Sequence, residues 1–108
     1  AALSARVGSI SDNGLGGWHS YRASKAALHM LLKNFALEIG RTHKDGVVVG
    51  LHPGTVDSAL SKPFQKGLPD GQLTEPSRAA ENLLGVLRQL GPEESGKVFD
   101  FAGKVVPA

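Results

Sequence analysis

Apolar residues at helical spacing dominate the first half of the chain. From Tyr21 to about Ile39 the apolar positions recur every three or four residues, which is typical of an amphipathic helix. Gly40 follows this run and predicts the end of the helix. The side chains predicted to face a core are Leu28, Leu31, Leu32, Phe35 and Ile39.

A second helix is predicted in the last third of the chain. Thr74 is a suitable N-terminal cap, and Pro76 suits the first helical turn. The pattern continues to Leu90, and Gly91 lies beyond it. The apolar face of this helix is predicted to consist of Leu83, Leu84, Leu87 and Leu90.

Three short apolar segments have the pattern of buried strands. Ala1–Ser4 resembles the end of a strand, Val47–Leu51 is a continuous apolar run, and Val98–Phe101 precedes a turn at Ala102–Gly103. Strands that are apolar on both faces are typical of parallel sheets. The order strand, helix, strand, helix, strand therefore predicts an α/β fold, in which ligands bind at the carboxyl ends of the strands.

Tyr21 and Lys25 extend the apolar stripe of the first helix toward its N-terminus. An ammonium group on a core-facing stripe is costly unless it has a partner or a water-lined cleft. The two residues are one turn apart, so their side chains are neighbours. An ammonium beside a phenol favours the phenolate and makes tyrosine a usable general acid or base. A surface lysine beside a half-buried tyrosine is the other interpretation, and this pair alone leaves both open.

Composition excludes several classes of function. The net charge is only +2 and no block of like charges is present, so no nucleic-acid partner is expected. No apolar stretch approaches the roughly 20 residues that span a bilayer, so no membrane partner is expected either. The chain has no cysteine, and its four histidines lack metal-ligand spacing, so we expect no metal site. These features favour a reduced, cytoplasmic setting.

Two segments resemble a known family. Tyr21–Leu28 resembles the Tyr-x-x-x-Lys segment of the short-chain dehydrogenases/reductases, and His52–Ser58 resembles their Pro-Gly-x-Val-x-Thr loop. Gly14–Gly17 and Ser95–Phe101 are similar to the C-factor-like branch. The resemblance implies the C-terminal half of a Rossmann-type doubly wound parallel sheet. Residues 1–108 would then be the C-terminal part of one NAD(P)-binding domain, whose glycine-rich phosphate loop lies in an N-terminal half. The start at Ala1, within an apolar run, also suggests a segment of a longer protein.

The resemblance implies an oxidoreductase that uses NAD or NADP and transfers hydride to or from a small carbonyl or alcohol substrate. Tyr21 would be the acid/base, and Lys25 would support its ionisation and bind the nicotinamide ribose. The implied cofactor-binding residues are Tyr21, Lys25, Pro53, Gly54, Val56 and Ser58, with Ser58 in place of the family's threonine. A plain turn after a strand is the other interpretation of Pro53–Gly54.

The family's substrate-orienting serine has no direct counterpart, because its register falls on Ala5. Ser4 is the preferred substitute, although adjacent strand residues point to opposite faces and a bulge is needed to turn it inward. Ser9, in the following loop, is the alternative. The missing serine keeps two other hypotheses open: a non-catalytic binding or signalling relative, and an inactive truncated structural fragment. The 108-residue piece alone is expected to be inactive.

Further features of the helix and its flanks concern partners and substrate. A second apolar strip on the helix predicts a homo-oligomer interface, or packing within the N-terminal half. Trp18 and His19 border Tyr21, either lining a substrate pocket or anchoring the loop, and Pro63–Gly71 resembles the family's mobile substrate loop. The residues of the second strip are Ala23, Ala27, Met30 and Leu37.

Overall fold

The computed structural model describes residues 1–69 and 71–108, so position 70, within the predicted substrate loop, lies outside the described residues. The described residues contain two α-helices and six short strands. Along the chain the elements are β1 (Ala2–Leu3), α1 (His19–Thr42), β2 (Gly50–His52), β3 (Thr55–Val56), β4 (Leu73–Thr74), α2 (Pro76–Leu87), β5 (Val98–Asp100) and β6 (Val105–Val106).

The main sheet has the strand order β1-β2-β5-β6. The first three strands are parallel, with Leu51 in register between Leu3 and Phe99. Strand β6 runs antiparallel to β5, and β3 and β4 form a separate parallel pair. The predicted α/β fold with a parallel sheet is confirmed. The antiparallel edge and the small second sheet were not predicted, because two-residue strands carry too little pattern to recognise.

The two helices cover opposite faces of the sheet. Val49 and Leu51 are buried in a core cluster with Val86 of α2 and Phe99 of β5. Gly50, between them on β2, faces the other way, and Leu32 of α1 lies 2.9 Å from the position that a Cβ at Gly50 would occupy. Since successive residues of a strand point to opposite faces, α2 packs on one side and α1 on the other. This is the doubly wound arrangement that the sequence predicted.

The predicted end of α1 at Gly40 is wrong. The helix continues through Gly40 to Thr42, and the amide of His43 still donates to the carbonyl of Ile39. Glycine inside a helix costs only about 1 kcal/mol, so flanking turns can override it. A turn follows the helix, in which the Gly46 amide donates a hydrogen bond to the carbonyl of His43.

Two other predicted boundaries also differ. Thr74 does not cap α2, because it belongs to β4 and its carbonyl accepts from the amide of Asp57; Glu75 precedes the helix instead. The helix ends at Leu87, although Leu90 still packs against the core cluster. Strand β2 begins only at Gly50, since the amide of Val48 donates to the Ser95 hydroxyl at 2.9 Å rather than to a neighbouring strand.

The core-facing stripe of α1 is narrower than its periodicity predicts. Leu32 and Ala36 are buried, but Leu31 and Phe35 are 62% and 52% exposed. The sheet has few strands and contacts only one narrow side of the helix. The predicted second strip is exposed as well, including Met30 and Leu37. Neither helix, within the ranges described above, is long and apolar enough to cross a membrane.

Candidate active site

The carboxyl ends of β1, β2 and β5 lie at one edge of the sheet because these strands are parallel. The first turns of α1 reach the same edge through a 3-10 turn, Arg6–Gly8, that follows β1. A Cβ at Gly8 would lie 2.8 Å from the backbone carbonyl carbon of Lys25 and from Cε1 of His29. Only a glycine at position 8 permits this close packing, which fixes the start of α1 against the end of β1.

Tyr21 and Lys25 are neighbours on the first turns of α1, as their spacing predicts. The Lys25 Nζ lies 5.8 Å from the centre of the Tyr21 ring, within the usual distance for a cation–π contact. Tyr21 is 45% exposed, so its placement on a core-facing stripe is wrong. Tyr21 is thus accessible from outside, on the part of α1 that packs against the turn after β1 at Gly8.

Ser4 is buried and its hydroxyl contacts the same helix. A hydrogen bond of 2.6 Å joins Ser4 Oγ to Nε2 of His29, one turn beyond Lys25. Ser9 is also buried, but its hydroxyl donates to the carbonyl of Ala108 and accepts from the amide of Asp12. Sequence reasoning missed His29, although its spacing of four residues from Lys25 placed it on the same helix face.

The other predicted cofactor contacts lie after β2. Pro53 and Gly54 follow this strand directly and are partly buried, and Gly54 has a φ of 77°. A Cβ at Gly54 would lie 3.2 Å from the ring of Phe101, so both the backbone and the space favour glycine. Val56 belongs to β3, and Ser58 is exposed in the next turn, where its amide donates to the Ser61 hydroxyl. Their contacts with a nicotinamide ring stay predictions.

A polar cluster at the same sheet edge was not predicted. Arg6 donates to Asp100 at 3.2 Å, and the other Asp100 oxygen accepts from the amides of Ala102 and Lys104. His52 lies directly across from Asp100 in the sheet. Sequence reasoning missed the cluster because Arg6 and Asp100 are 94 positions apart and neither belongs to a recognisable motif.

Two histidines at this edge have lowered pKa values. Burial, and then the Lys25 ammonium, lower the pKa of His29 from its ordinary value of 6.5. Burial and the Arg6 guanidinium lower the pKa of His52, against a smaller opposing effect of Asp100. Nδ1 of His52 is buried and has no hydrogen-bond partner among the described residues. The folded chain thus binds protons at these two sites less readily than the unfolded chain does.

These lowered pKa values predict that acid destabilises the fold. Below about pH 6.5 the unfolded state binds more protons than the folded state, so the free energy of unfolding falls as the pH decreases through this range. We expect a lower urea midpoint at pH 5.5 than at pH 7.5. Replacing both residues, His29→Asn with His52→Asn, should reduce the difference. His43→Gln, at an exposed histidine, should preserve it; an equal midpoint at both pH values would contradict the prediction.

Comparison with known proteins identifies relatives over almost the whole chain. No family model matches it. The chain is 37% identical over 108 residues to C-signal of Myxococcus xanthus, covering 99% of the chain and 59% of that protein. It is 42% identical over 96 residues to 1-hydroxy-2-glutathionyl-2-methyl-3-butene dehydrogenase of Rhodococcus sp. (strain AD45), covering 88% of the chain and 40% of the relative. The chain therefore spans about half the length of the curated relatives that it matches.

Solved structures of other proteins are also similar to almost the whole chain. The NADPH-bound carbonyl reductase from chicken fatty liver superposes with a TM-score of 0.80 at 33% identity, over 100% of this chain and 43% of that one. A short-chain dehydrogenase/reductase from Burkholderia multivorans, with bound NADP, superposes with a TM-score of 0.69 at 29% identity, over 98% and 42%. The fold is that of part of a Rossmann-type domain. Over almost its whole length the chain is similar to members of the short-chain dehydrogenase/reductase family, as its two motifs predicted.

Proposed function

We propose that this chain is the catalytic half of an NAD(P)-dependent oxidoreductase that interconverts a small carbonyl compound and its alcohol. The observation that carries the proposal is the Tyr21–Lys25 pair, with Nζ 5.8 Å from the ring centre, on an accessible helix start beside the ends of parallel strands. Two oxidoreductases related to this chain by sequence or structure support the same chemistry. In this proposal residues 1–108 are the C-terminal part of one domain, working in the cytoplasm.

The residues present fit the nicotinamide end of a dinucleotide. Gly54 lets the chain turn away from β2 with a left-handed backbone, and the Phe101 ring occupies the side on which a Cβ would lie, so this turn presents backbone and no side chain. Lys25 is a cation suited to a ribose hydroxyl, and Pro53, Val56 and Ser58 would border the ring. A bound nicotinamide supplies or accepts the hydride. The phosphate groups would be held by residues outside this chain.

In the reducing direction, the Tyr21 hydroxyl donates its proton to the carbonyl oxygen as that oxygen gains negative charge. The Lys25 ammonium, 5.8 Å from the centre of the Tyr21 ring, faces the phenol during this transfer. The exposed position of Tyr21 allows a substrate to approach the hydroxyl. The reverse direction uses the same groups, with the phenolate accepting the proton of the alcohol.

Ser4 is our candidate for the second donor to the substrate oxygen. The Ser4–His29 hydrogen bond leaves the serine proton free only if the histidine donates from Nε2. The lowered pKa of His29 is compatible with this neutral form. Ser9 is a weaker candidate, because its hydroxyl already has a carbonyl to donate to and an amide to accept from.

We predict that Ser4→Ala lowers kcat by about 10²–10³-fold, the effect of removing one oriented donor, while Ser9→Ala changes kcat little. The measurement is steady-state kinetics of both variants in a full-length protein that contains this chain, normalised to the folded fraction. A large loss confined to Ser9→Ala would transfer the role to Ser9. If neither substitution changed kcat, neither Ser4 nor Ser9 would be the second donor to the substrate oxygen.

The proposed activity is tested directly by deuterium transfer. A full-length protein that contains this chain is incubated with NADPH or NADH that carries deuterium at both C4 positions, and with a panel of aldehydes and ketones. We expect the alcohol product to gain one deuterium at the former carbonyl carbon, detected by mass spectrometry. Absence of transfer from either cofactor across the panel would reject the oxidoreductase assignment.

The 108-residue chain alone should bind dinucleotide weakly. Much of the affinity of such sites comes from a glycine-rich turn and a helix N-terminus that cradle the phosphates, and the family places these in the N-terminal half. We expect a Kd weaker than about 1 mM by calorimetry, which corresponds to roughly −4 kcal/mol. Micromolar binding of NAD or NADP to this chain would show that the phosphate site lies within it.

A non-catalytic signalling relative is the second candidate function. Ala5 is buried at the position where the family has its orienting serine, and it offers no hydroxyl. The similarity to a protein named C-signal also supports this candidate. Normal hydride transfer by the full-length protein would exclude it.

We also propose that the exposed apolar side of α1 is covered in the full-length protein, by a second copy or by the N-terminal half. Met30, Leu31, Phe35 and Leu37 are each more than half exposed. Exposed apolar patches of this kind are typical of interfaces. Sedimentation of the full-length protein distinguishes an oligomer from a monomer in which the N-terminal half covers this side.

A further inference from the structure

Three aromatic side chains meet at the start of α1. The Trp18 indole packs edge-to-face against Tyr21, with centroids 6.5 Å apart and planes at 76°. It packs in the same manner against Phe64, at 5.9 Å and 63°. Phe64 lies 46 residues away in the chain, so this trio is a tertiary feature. We call Trp18, Tyr21 and Phe64 the aromatic trio.

All three rings remain accessible. Trp18 is 59% exposed, Phe64 is 60% exposed and Tyr21 is 45% exposed. Each edge-to-face contact covers a face of only one of its two rings, and the exposed fractions show that ring surface still faces outward. An exposed apolar cluster next to a candidate acid/base is typical of a ligand-binding surface.

The backbone at Trp18 is held in an unfavourable conformation. Its φ of 51° and ψ of 43° lie in the left-handed region, and it is the one non-glycine residue with positive φ among residues 1–69 and 71–108. The preceding Gly16 and Gly17 have φ values of 68° and 72°, which glycine adopts without strain. A bulky side chain in this region is unfavourable, and such strain clusters at ligand sites. In this backbone conformation the Trp18 indole packs against Tyr21 and Phe64.

From this geometry we propose that Trp18 and Phe64 form an aromatic wall of the substrate site, which selects carbonyl compounds bearing a flat aromatic group. The inference rests on the proposed function, because it takes Tyr21 as the proton donor beside this wall. A flat ring can stack on, or pack edge-to-face against, the exposed ring surfaces. A puckered ring of the same size makes fewer of these contacts. Phe64 and Trp18 are therefore specificity-determining residues of the site.

The first test compares two ketones whose carbonyl group is not conjugated to the ring and which differ mainly in ring shape, 4-phenylbutan-2-one and 4-cyclohexylbutan-2-one. In a full-length protein that contains this chain, with NADPH, we expect kcat/KM to favour 4-phenylbutan-2-one by about 3–10-fold, in the range of one aromatic contact. Phe64→Leu and Trp18→Leu should each bring the ratio of the two kcat/KM values close to 1. Leu84→Ala, at an exposed apolar residue of α2, is the control and should keep the preference. Equal use of both ketones by the unmodified protein, or an unchanged ratio in both leucine variants, would overturn the proposal.

The second test measures binding without turnover. Trp18 is the single tryptophan of this chain. In protein labelled with 5-fluorotryptophan its fluorine resonance is assigned by its loss in Trp18→Phe. We expect 4-phenylbutan-2-one to shift this resonance saturably, and 4-cyclohexylbutan-2-one to shift it much less. Equal responses to the two ketones would overturn the aromatic wall.

Together the two tests separate this inference from the proposed function. A saturable, selective shift without deuterium transfer to either ketone or to any other member of the panel would support the aromatic site and reject the oxidoreductase assignment. Deuterium transfer to both ketones, without a preference and without a selective shift, would reject the aromatic site and leave the oxidoreductase assignment intact.

Discussion

Tyr21→Phe in a full-length protein that contains this chain is expected to abolish most turnover while leaving dinucleotide affinity nearly unchanged. The substitution removes only the hydroxyl, so the acid/base contribution of about 10²–10⁴-fold is lost. The ring that packs against Trp18 and faces the Lys25 ammonium is retained. The measurements are kcat by cofactor absorbance and Kd for NADPH or NADH by calorimetry.

Lys25→Met is the companion variant that separates the two roles. Because Lys25 is proposed to serve both the phenol and the ribose, its loss should lower kcat and weaken cofactor binding together. Urea denaturation of Lys25→Met checks that this substitution leaves the free energy of unfolding largely unchanged. Near-normal turnover in Tyr21→Phe would show that Tyr21 is not the acid/base, whatever Lys25→Met does.

Gly8→Ala is expected to destabilise the fold and displace the catalytic helix. The added Cβ would meet the backbone carbonyl carbon and Cβ of Lys25, and Cε1 of His29, all at 2.8 Å. A flexible side chain could move aside, but the backbone of α1 cannot move at Lys25 without moving the helix. Forcing one carbon into a packed site costs about 1–3 kcal/mol. We expect a loss of this size in the free energy of unfolding, measured by urea denaturation.

Gly14→Ala is the matched control for this prediction. Gly14 has open space around its Cβ position and no positive φ, so an added methyl group meets nothing. Its stability should be unchanged or slightly higher, because alanine restricts the unfolded chain more than glycine does. If Gly8→Ala is as stable as Gly14→Ala, the turn after β1 does not hold α1 in the way described here.

The sequence predicted the elements whose pattern is local and long. The stretch from Tyr21 to Ile39 carries enough helical repeats to identify α1, and the apolar run ending at Leu51 identifies a buried strand. Tyr21 and Lys25 were brought together by helix geometry alone, since residues four apart share one face. The boundaries were less accurate: Gly40 is inside the helix, and Thr74 belongs to a strand.

Tertiary structure decided the contacts between distant segments. The bonds between Ser4 and His29 and between Arg6 and Asp100, and the packing of Trp18 on Phe64, join residues 25, 94 and 46 positions apart. The exposure of Leu31 and Phe35 was decided in the same way, because only the sheet determines how much of α1 it covers. Helical periodicity and motifs act over a few residues and therefore identified the fold class and the candidate acid/base pair. Which hydroxyl faces that pair, and which rings surround it, depends on how the chain folds back on itself.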